Sequence, residues 1–216
     1  MGRDPTKYVV DGRRHPSVTE ILELSGWDRK KAQIDPETLR KAGYRGTVVH
    51  DLTEKYDQQG STLLQELNER WRGYVQCYDR FILTYQPRII LSETVVVSRK
   101  HRFGGTLDRL FVMDIPERGL TKVNVLLDVK TPVEQADSWG LQTAGYAIAI
   151  EEVYGIPIDK IERYTLRCNI SGVFDLDRWP HKGDFEKFLW AANTVNAQLD
   201  AGVVELPQHE EHEEAA

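Results

Sequence analysis

Three consecutive strand-like segments follow a long amphipathic helix in this chain, and this change of hydrophobic period restricts the folds open to it. Segments 88–97, 103–114 and 123–130 are rich in β-branched residues, which is typical of strands. Before them, apolar residues in segment 61–85 recur at three- and four-residue steps, which predicts a helix. The turn-forming residues of 116–121 predict that the second and third strands form a hairpin.

Further elements on both sides complete the pattern. The start of the chain predicts a short strand, a turn at Asp11-Gly12 and a helix whose capping box is formed by Ser17 and Glu20. Pro36 begins a helical segment to about residue 58, with breaks expected near the glycines at 43 and 46. Two more helices and one strand are predicted at 136–153, 184–199 and 161–168. The chain is therefore predicted to be an α/β protein, with a small mixed β-sheet flanked by helices.

The charge of the chain is unevenly distributed. The formal net charge is -6, but the final twelve residues carry five glutamates and neither lysine nor arginine. We therefore predict one domain over residues 1–204, with an N-terminal helical elaboration, and a disordered acidic tail over 205–216. Without the tail the chain is close to neutral, so its overall acidity is no argument against a nucleic-acid partner.

Several classes of protein are excluded by composition. No apolar run approaches the ~20 residues that span a bilayer, and the first residues lack the apolar segment of a secretory signal. The two cysteines, Cys77 and Cys168, can form neither a disulfide framework nor a four-cysteine metal cluster. We expect a cytoplasmic protein without a membrane partner.

An acid and a base stand at the end of the third predicted strand, in Asp128-Val129-Lys130. Because side chains alternate along a strand, Asp128 and Lys130 share one face, and the other face carries Val125, Leu127 and Val129. A central strand is normally apolar on both faces, so the two charges need a reason. The triplet alone is weak support, since the same spacing occurs in the charged segment 28–30.

Asp108 interrupts the neighbouring apolar strand and strengthens the case for a site. Two carboxylates about 4 Å apart repel by ~4 kcal/mol at an effective dielectric constant of 20, so a proton or a cation is expected between them. Hard divalent ions with oxygen ligands fit best. The alternative is a structural salt bridge between Asp108 and Arg109, Arg102 or Lys130.

Two further features lie on predicted helices. Gln142 and Tyr146 are four residues apart and therefore share one face of the helix that follows the Asp-x-Lys strand. The alternative interpretation is a half-buried helical stripe. His50, in the segment Gly46-Thr47-Val48-Val49-His50, is a candidate ligand, although a single histidine on a helix commonly has a structural role.

These segments together resemble the PD-(D/E)xK nucleases. In order they are Gly-Thr-x-x-His at 46–50, Gly-Gly-Thr-Leu-Asp at 104–108, Leu-Asp-Val-Lys-Thr at 127–131 and Gln-x-x-x-Tyr at 142–146. The chain looks most similar to the RecB-type exonuclease branch, whose phage members often open with a segment similar to 15–22. The resemblance covers roughly residues 8–200 and implies a restriction-endonuclease-like core. It departs from the family at Leu107, where the name has proline, and in lacking cysteines for an iron–sulphur cluster.

The resemblance also implies roles for individual residues. Ligands of a Mg²⁺ or Mn²⁺ ion would be His50, Asp108, Asp128 and the backbone carbonyl of Val129. Lys130 would orient or polarise the attacking water, and Gln142 and Tyr146 would hold the phosphate backbone of DNA.

The activity that follows from the resemblance is a metal-dependent DNA exonuclease that leaves 5′-phosphates and serves phage-type recombination or DNA end processing. Two alternatives stay open, a structure-specific endonuclease and a DNA-binding protein that has lost activity. A single-strand annealing or recombination protein is the expected partner, and relatives differ too much in assembly to predict an oligomeric state.

A basic turn precedes the Asp108 strand. Arg99, Lys100 and Arg102 lie there and could reach backbone phosphates of DNA. The alternative is a solvated hairpin turn.

Overall fold

A five-stranded mixed β-sheet with helices on both faces forms the centre of the protein. The structure is a computed structural model that describes residues 8–28, 34–132 and 134–207. A two-stranded ribbon precedes the sheet and consists of β1 (Val9–Val10) and β2 (Arg13–Arg14). The sheet contains β3 (Arg88–Ser98), β4 (Phe103–Ile115), β5 (Leu120–Lys130), β6 (Ile161–Cys168) and β7 (Phe174–Arg178). The predicted α/β class is confirmed.

The strands lie in the order β3-β4-β5-β6-β7. All neighbours are antiparallel except β5 and β6, which are parallel. A parallel pair needs a long crossover connection, and a helix provides it here.

Six α-helices cover the sheet within the described part of the chain. They are α1 (Val18–Leu24), α2 (Pro36–Gln59), α3 (Leu63–Glu66), α4 (Glu69–Tyr85), α5 (Ser138–Tyr154) and α6 (Gly183–Asp200). One apolar cluster joins α1, α5 and α6 to the sheet, and a second joins α2, α3 and α4 to it. The two clusters use opposite faces of β5, because Leu126 belongs to the first, and Leu127 and Val129 to the second. The predicted alternation in β5 is thus confirmed.

The N-terminal segment is attached to the first residues of β4, which extend past the end of β5. The predicted capping box of α1 is present, since the Glu20 amide donates to Ser17 Oγ and the Ser17 amide donates to the Glu20 carboxylate. Gly104 of β4 donates its amide hydrogen to the Pro16 carbonyl at 3.0 Å. This contact brings α1 against the part of β4 that precedes Asp108.

Two predictions about helices were wrong, and one strand was not predicted. Helix α2 runs through Gly43 and Gly46 without a break, because its packed C-terminal half propagates the helix past them. The helix predicted over 61–85 is interrupted at Leu67, whose backbone is extended, so that α4 begins at Glu69. Strand β7 was not predicted, and it forms the edge of the sheet beside β6.

None of the described helices combines the length and the apolar character needed to span a bilayer. Residues 208–216 of the predicted acidic tail lie outside the described residues.

Candidate functional site

The ladder between β4 and β5 changes at Asp108. The last regular pair of this ladder is Arg109 of β4 with Leu127 of β5, and the residues of β5 after Leu127 have no regular partner on β4. Beyond that pair, the Asp108 side chain takes part in the strand contact, since the Val129 amide donates to Asp108 Oδ2 at 2.6 Å. Asp108 is 1% exposed, so its carboxylate is held in the interior beside β5.

The alternation of side chains along β4 also changes phase at Asp108. Leu107 packs in the cluster with α5, whereas Arg109 points to the other face and donates from Nε to Asp57 of α2 at 2.5 Å. On β3, Glu93 lies between the two ladder pairs that flank Asp108 and has a φ of 42°. Such an irregularity re-aims a side chain, and it is common in strands beside active sites. Asp108 and Glu93 are thereby brought to the same place.

His50 of α2 completes a cluster with these two acids. Ligand atoms of His50, Glu93 and Asp108 all lie within 4.8 Å of one another. His50 Nδ1 is 3.4 Å from Asp108 Oδ2 and 3.8 Å from Glu93 Oε1, yet it is buried without a hydrogen-bond partner among the described residues. Carboxylate and imidazole ligands suit a divalent metal ion. The cluster could therefore hold one.

Glu93 was not predicted to be a site residue. The sequence does show a single acid within the β-branched segment 88–97. Asp108 interrupts its strand in the same way. Its proximity to Asp108 depends on the register of β3 and β4, which the sequence alone does not provide.

Asp128 lies on β5, which borders β4 on the side away from Glu93 and β3. Its side chain is buried, since the residue is 1% exposed. The Lys130 ammonium is 2.8 Å from Asp128 Oδ2, and Gln142 donates from Nε2 to Asp128 Oδ1 at 3.2 Å. Burial raises the pKa of the Asp128 carboxyl, the Lys130 charge opposes this rise, and the negative charge of Asp108 adds to it. The two acids therefore interact electrostatically, as a site for a cation requires.

Gln142 and Tyr146 are buried on α5 and point toward the same place. Gln142 donates from Nε2 to the Tyr146 hydroxyl at 3.3 Å as well as to Asp128. The Tyr146 ring lies directly over Gly105, where an added Cβ would be 2.5 Å from the ring carbon Cε1. Gly105 in the Gly-Gly pair thus leaves the space that the ring occupies.

The cations considered as structural partners of Asp108 each form an ion pair with a different carboxylate. Arg109 pairs with Asp57 and Glu93, and Lys130 pairs with Asp128. The Arg109 guanidinium also interacts electrostatically with Asp108, as the structural alternative predicts.

The basic turn lies between β3 and β4. Glu152 accepts hydrogen bonds from the backbone amides of Arg99 and Lys100, which fixes the turn against α5. Arg102 forms an ion pair with Asp200 at 2.9 Å. DNA binding by Arg99, Lys100 and Arg102 stays a prediction.

Comparison with known proteins supports the fold assignment. No family model and no curated protein matches the chain. Among solved structures, the chain is similar to the crystal structure of a protein from Eubacterium rectale named "putative exonuclease", with a TM-score of 0.50 and 12% sequence identity. The match covers 88% of this chain and 83% of that chain. At this identity the likeness establishes that both chains share a mixed sheet flanked by helices.

Proposed function

We propose that this protein is a metal-dependent DNA exonuclease of the PD-(D/E)xK type. One observation carries the proposal: Asp108 and Asp128 lie buried on adjacent strands, with His50 beside the first and Lys130 beside the second. These are the residues and the neighbours that the motif resemblance implies for a phosphodiesterase site.

The donor set suits Mg²⁺ or Mn²⁺. Asp108, Asp128 and the Val129 carbonyl offer oxygen ligands, while the buried Nδ1 of His50 offers a nitrogen that favours Mn²⁺. Glu93 is a further candidate ligand. When bound, the ion would offset the negative charge of the phosphate and lower the pKa of a bound water.

The protein's own residues position the reacting groups. Lys130 provides a fixed positive charge beside Asp128, where it can orient the attacking water. Gln142 holds both the Asp128 carboxylate and the Tyr146 hydroxyl, so it links the metal ligand to a group that can donate to a phosphate oxygen. A preorganised arrangement of this kind needs little rearrangement during the reaction.

We further propose that the substrate is a DNA end, that the products carry 5′-phosphates, and that the enzyme acts in the cytoplasm of a bacterial or phage-infected cell. Recombination or end processing, together with an annealing protein, is the proposed setting. The order of the four motifs supports these details, and the name of the Eubacterium rectale protein agrees with exonuclease action.

Digestion of end-labelled linear DNA and covalently closed circular DNA, with Mg²⁺ and with Mn²⁺, tests the proposal. Linear DNA should be degraded from its ends while circular DNA survives. Asp128→Ala and Lys130→Ala should each abolish hydrolysis, whereas Asp159→Ala and Lys160→Ala, in an exposed ion pair, should not. Cleavage of circular DNA would favour an endonuclease, and near wild-type activity in either site variant would contradict the assigned site.

A further inference from the structure

Arg45 occupies an unusual position on α2. The buried stripe of this helix contains Val49, Thr53 and Tyr56, and Arg45 stands one turn before Val49 on the same stripe. It is half-buried and points toward the sheet at the level where β5 ends. Its Nε donates to Thr131 Oγ1 at 3.2 Å, and Thr131 is only 8% exposed.

Among the described residues, the charge of Arg45 has no counterion. Thr131 directly follows Lys130, so the guanidinium lies beside the end of the strand that carries the Lys130 ammonium. Within residues 8–28, 34–132 and 134–207, no carboxylate forms an ion pair with Arg45. By contrast, Arg40 and Lys41, which lie on the exposed first turns of the same helix, both pair with Glu37.

The chemistry of the guanidinium fits a phosphate. Arginine has five N–H donors in a planar fork, and the bond to Thr131 uses only the one on Nε. The remaining donors suit two oxygens of one phosphate group. The contact with Thr131 also fixes the direction of the fork, because it restrains the side chain near its charged end.

We propose that Arg45 binds a backbone phosphate of the DNA strand, next to the phosphate that is cleaved. This inference rests on the proposed function and adds the residue that anchors the strand on the α2 side of the site. It differs from the predicted contacts of the basic turn, since Phe103, where β4 leaves that turn, lies five strand residues, about 17 Å, from Asp108.

Binding of an end-labelled oligonucleotide, measured by fluorescence anisotropy in EDTA at several salt concentrations, tests this proposal. Arg45→Ala should weaken binding about tenfold. It should also reduce the slope of log K against log salt by about 0.7 to 0.9, the value for one phosphate contact. The matched control is Arg40→Ala, which removes an exposed arginine of the same helix and should change neither quantity.

Two milder variants test the proposal without removing the side chain. Arg45→Lys keeps the charge, so the salt slope should be unchanged, while binding weakens because a single ammonium replaces the fork. Thr131→Val removes the acceptor of Arg45 Nε and should weaken binding severalfold with the same slope. Melting temperatures show which variants are folded.

The outcomes separate this inference from the proposed function. If the wild-type protein binds DNA and the folded Arg45 variants bind equally well with an unchanged slope, the role of Arg45 is overturned and the nuclease proposal stands. If the wild-type protein neither binds nor cleaves DNA, the proposed function is overturned, and the role of Arg45 with it.

Discussion

Asp108 Oδ2 accepts a hydrogen bond from the Val129 amide at 2.6 Å, at a point where the regular ladder between β4 and β5 has ended. The same carboxylate oxygen lies 3.4 Å from His50 Nδ1. Asp108 thus has a structural and an electrostatic function at once: it holds the two strands together and presents negative charge to the candidate metal site. These two functions can be separated by mutation.

Asp108→Asn should lower the cleavage rate by more than about 100-fold and leave the fold intact. The asparagine carbonyl can still accept from the Val129 amide, but it lacks the charge. Asp108→Ala should lose the same activity and in addition about 1–3 kcal/mol of unfolding free energy, because a buried amide loses its acceptor. Cleavage assays and urea unfolding measure the two effects. Equal stability of both variants would contradict the structural function.

The elements of the fold were largely predictable because their patterns are local. The period of apolar residues identifies α4, α5 and α6, and the β-branched segments identify β3, β4 and β5. Strand β7 escaped because its sequence, Phe-Asp-Leu-Asp-Arg, is short and mostly polar, as an edge strand permits. The continuity of α2 through Gly46 depends on packing, which propensity does not report.

The candidate site was predictable only in part, for a related reason. Asp128 and Lys130 share a face because of strand alternation, which the sequence contains. The places of Glu93 and Arg45 depend on register and on helix docking, since Glu93 meets Asp108 from the neighbouring strand and Arg45 meets Thr131 from α2. Such contacts join residues far apart in sequence.

Mn²⁺ should raise the melting temperature of the wild-type protein. An ion that binds only the folded state at a hundred times its Kd stabilises it by about 2.7 kcal/mol. His50→Ala and Glu93→Gln should each reduce this effect, because both residues contribute ligand atoms to the cluster. Thermal unfolding with and without Mn²⁺ measures it. Glu37→Gln, at an exposed site, is the control. An undiminished shift in Glu93→Gln would exclude Glu93 as a ligand.

Gly105→Ala should lower activity without removing a functional group. The new methyl group would be 2.5 Å from the Tyr146 ring, so the ring or the strand must move. Gly46→Ala is the matched control, since its Cβ meets nothing within 4 Å, and it should stabilise α2 by about 0.5–1 kcal/mol. Cleavage rates and melting temperatures of both variants test this. Full activity in Gly105→Ala would show that the position of Tyr146 is unimportant.

Acid should weaken the contact between the basic turn and α6. Hydrogen bonds from Arg102 and Arg13 lower the pKa of Asp200 from its usual value of 3.8 to about 2. The ionised carboxylate therefore stabilises the fold at pH values above about 4. The contribution is lost as the pH falls from about 4 through 2. Asp200→Asn lacks it, so the stability difference between wild type and variant should shrink in this interval. Because the ion pair is exposed, the effect is small. A constant difference across these pH values would contradict the assignment.

Tyr146→Phe should separate phosphate contact from metal binding. Removal of the hydroxyl leaves the ring in place over Gly105, and Gln142 can still donate to Asp128. We therefore expect a 10- to 100-fold lower cleavage rate, by analogy with other positioning hydrogen bonds, and an unchanged Mn²⁺ shift in melting temperature. Gln142→Ala, in contrast, should reduce both, because it also releases Asp128. Tyr154→Phe, at the exposed end of the same helix, is the control. If Tyr146→Phe cleaves as fast as the wild type, the hydroxyl does not contact the phosphate, and Gln142 acts through Asp128 alone.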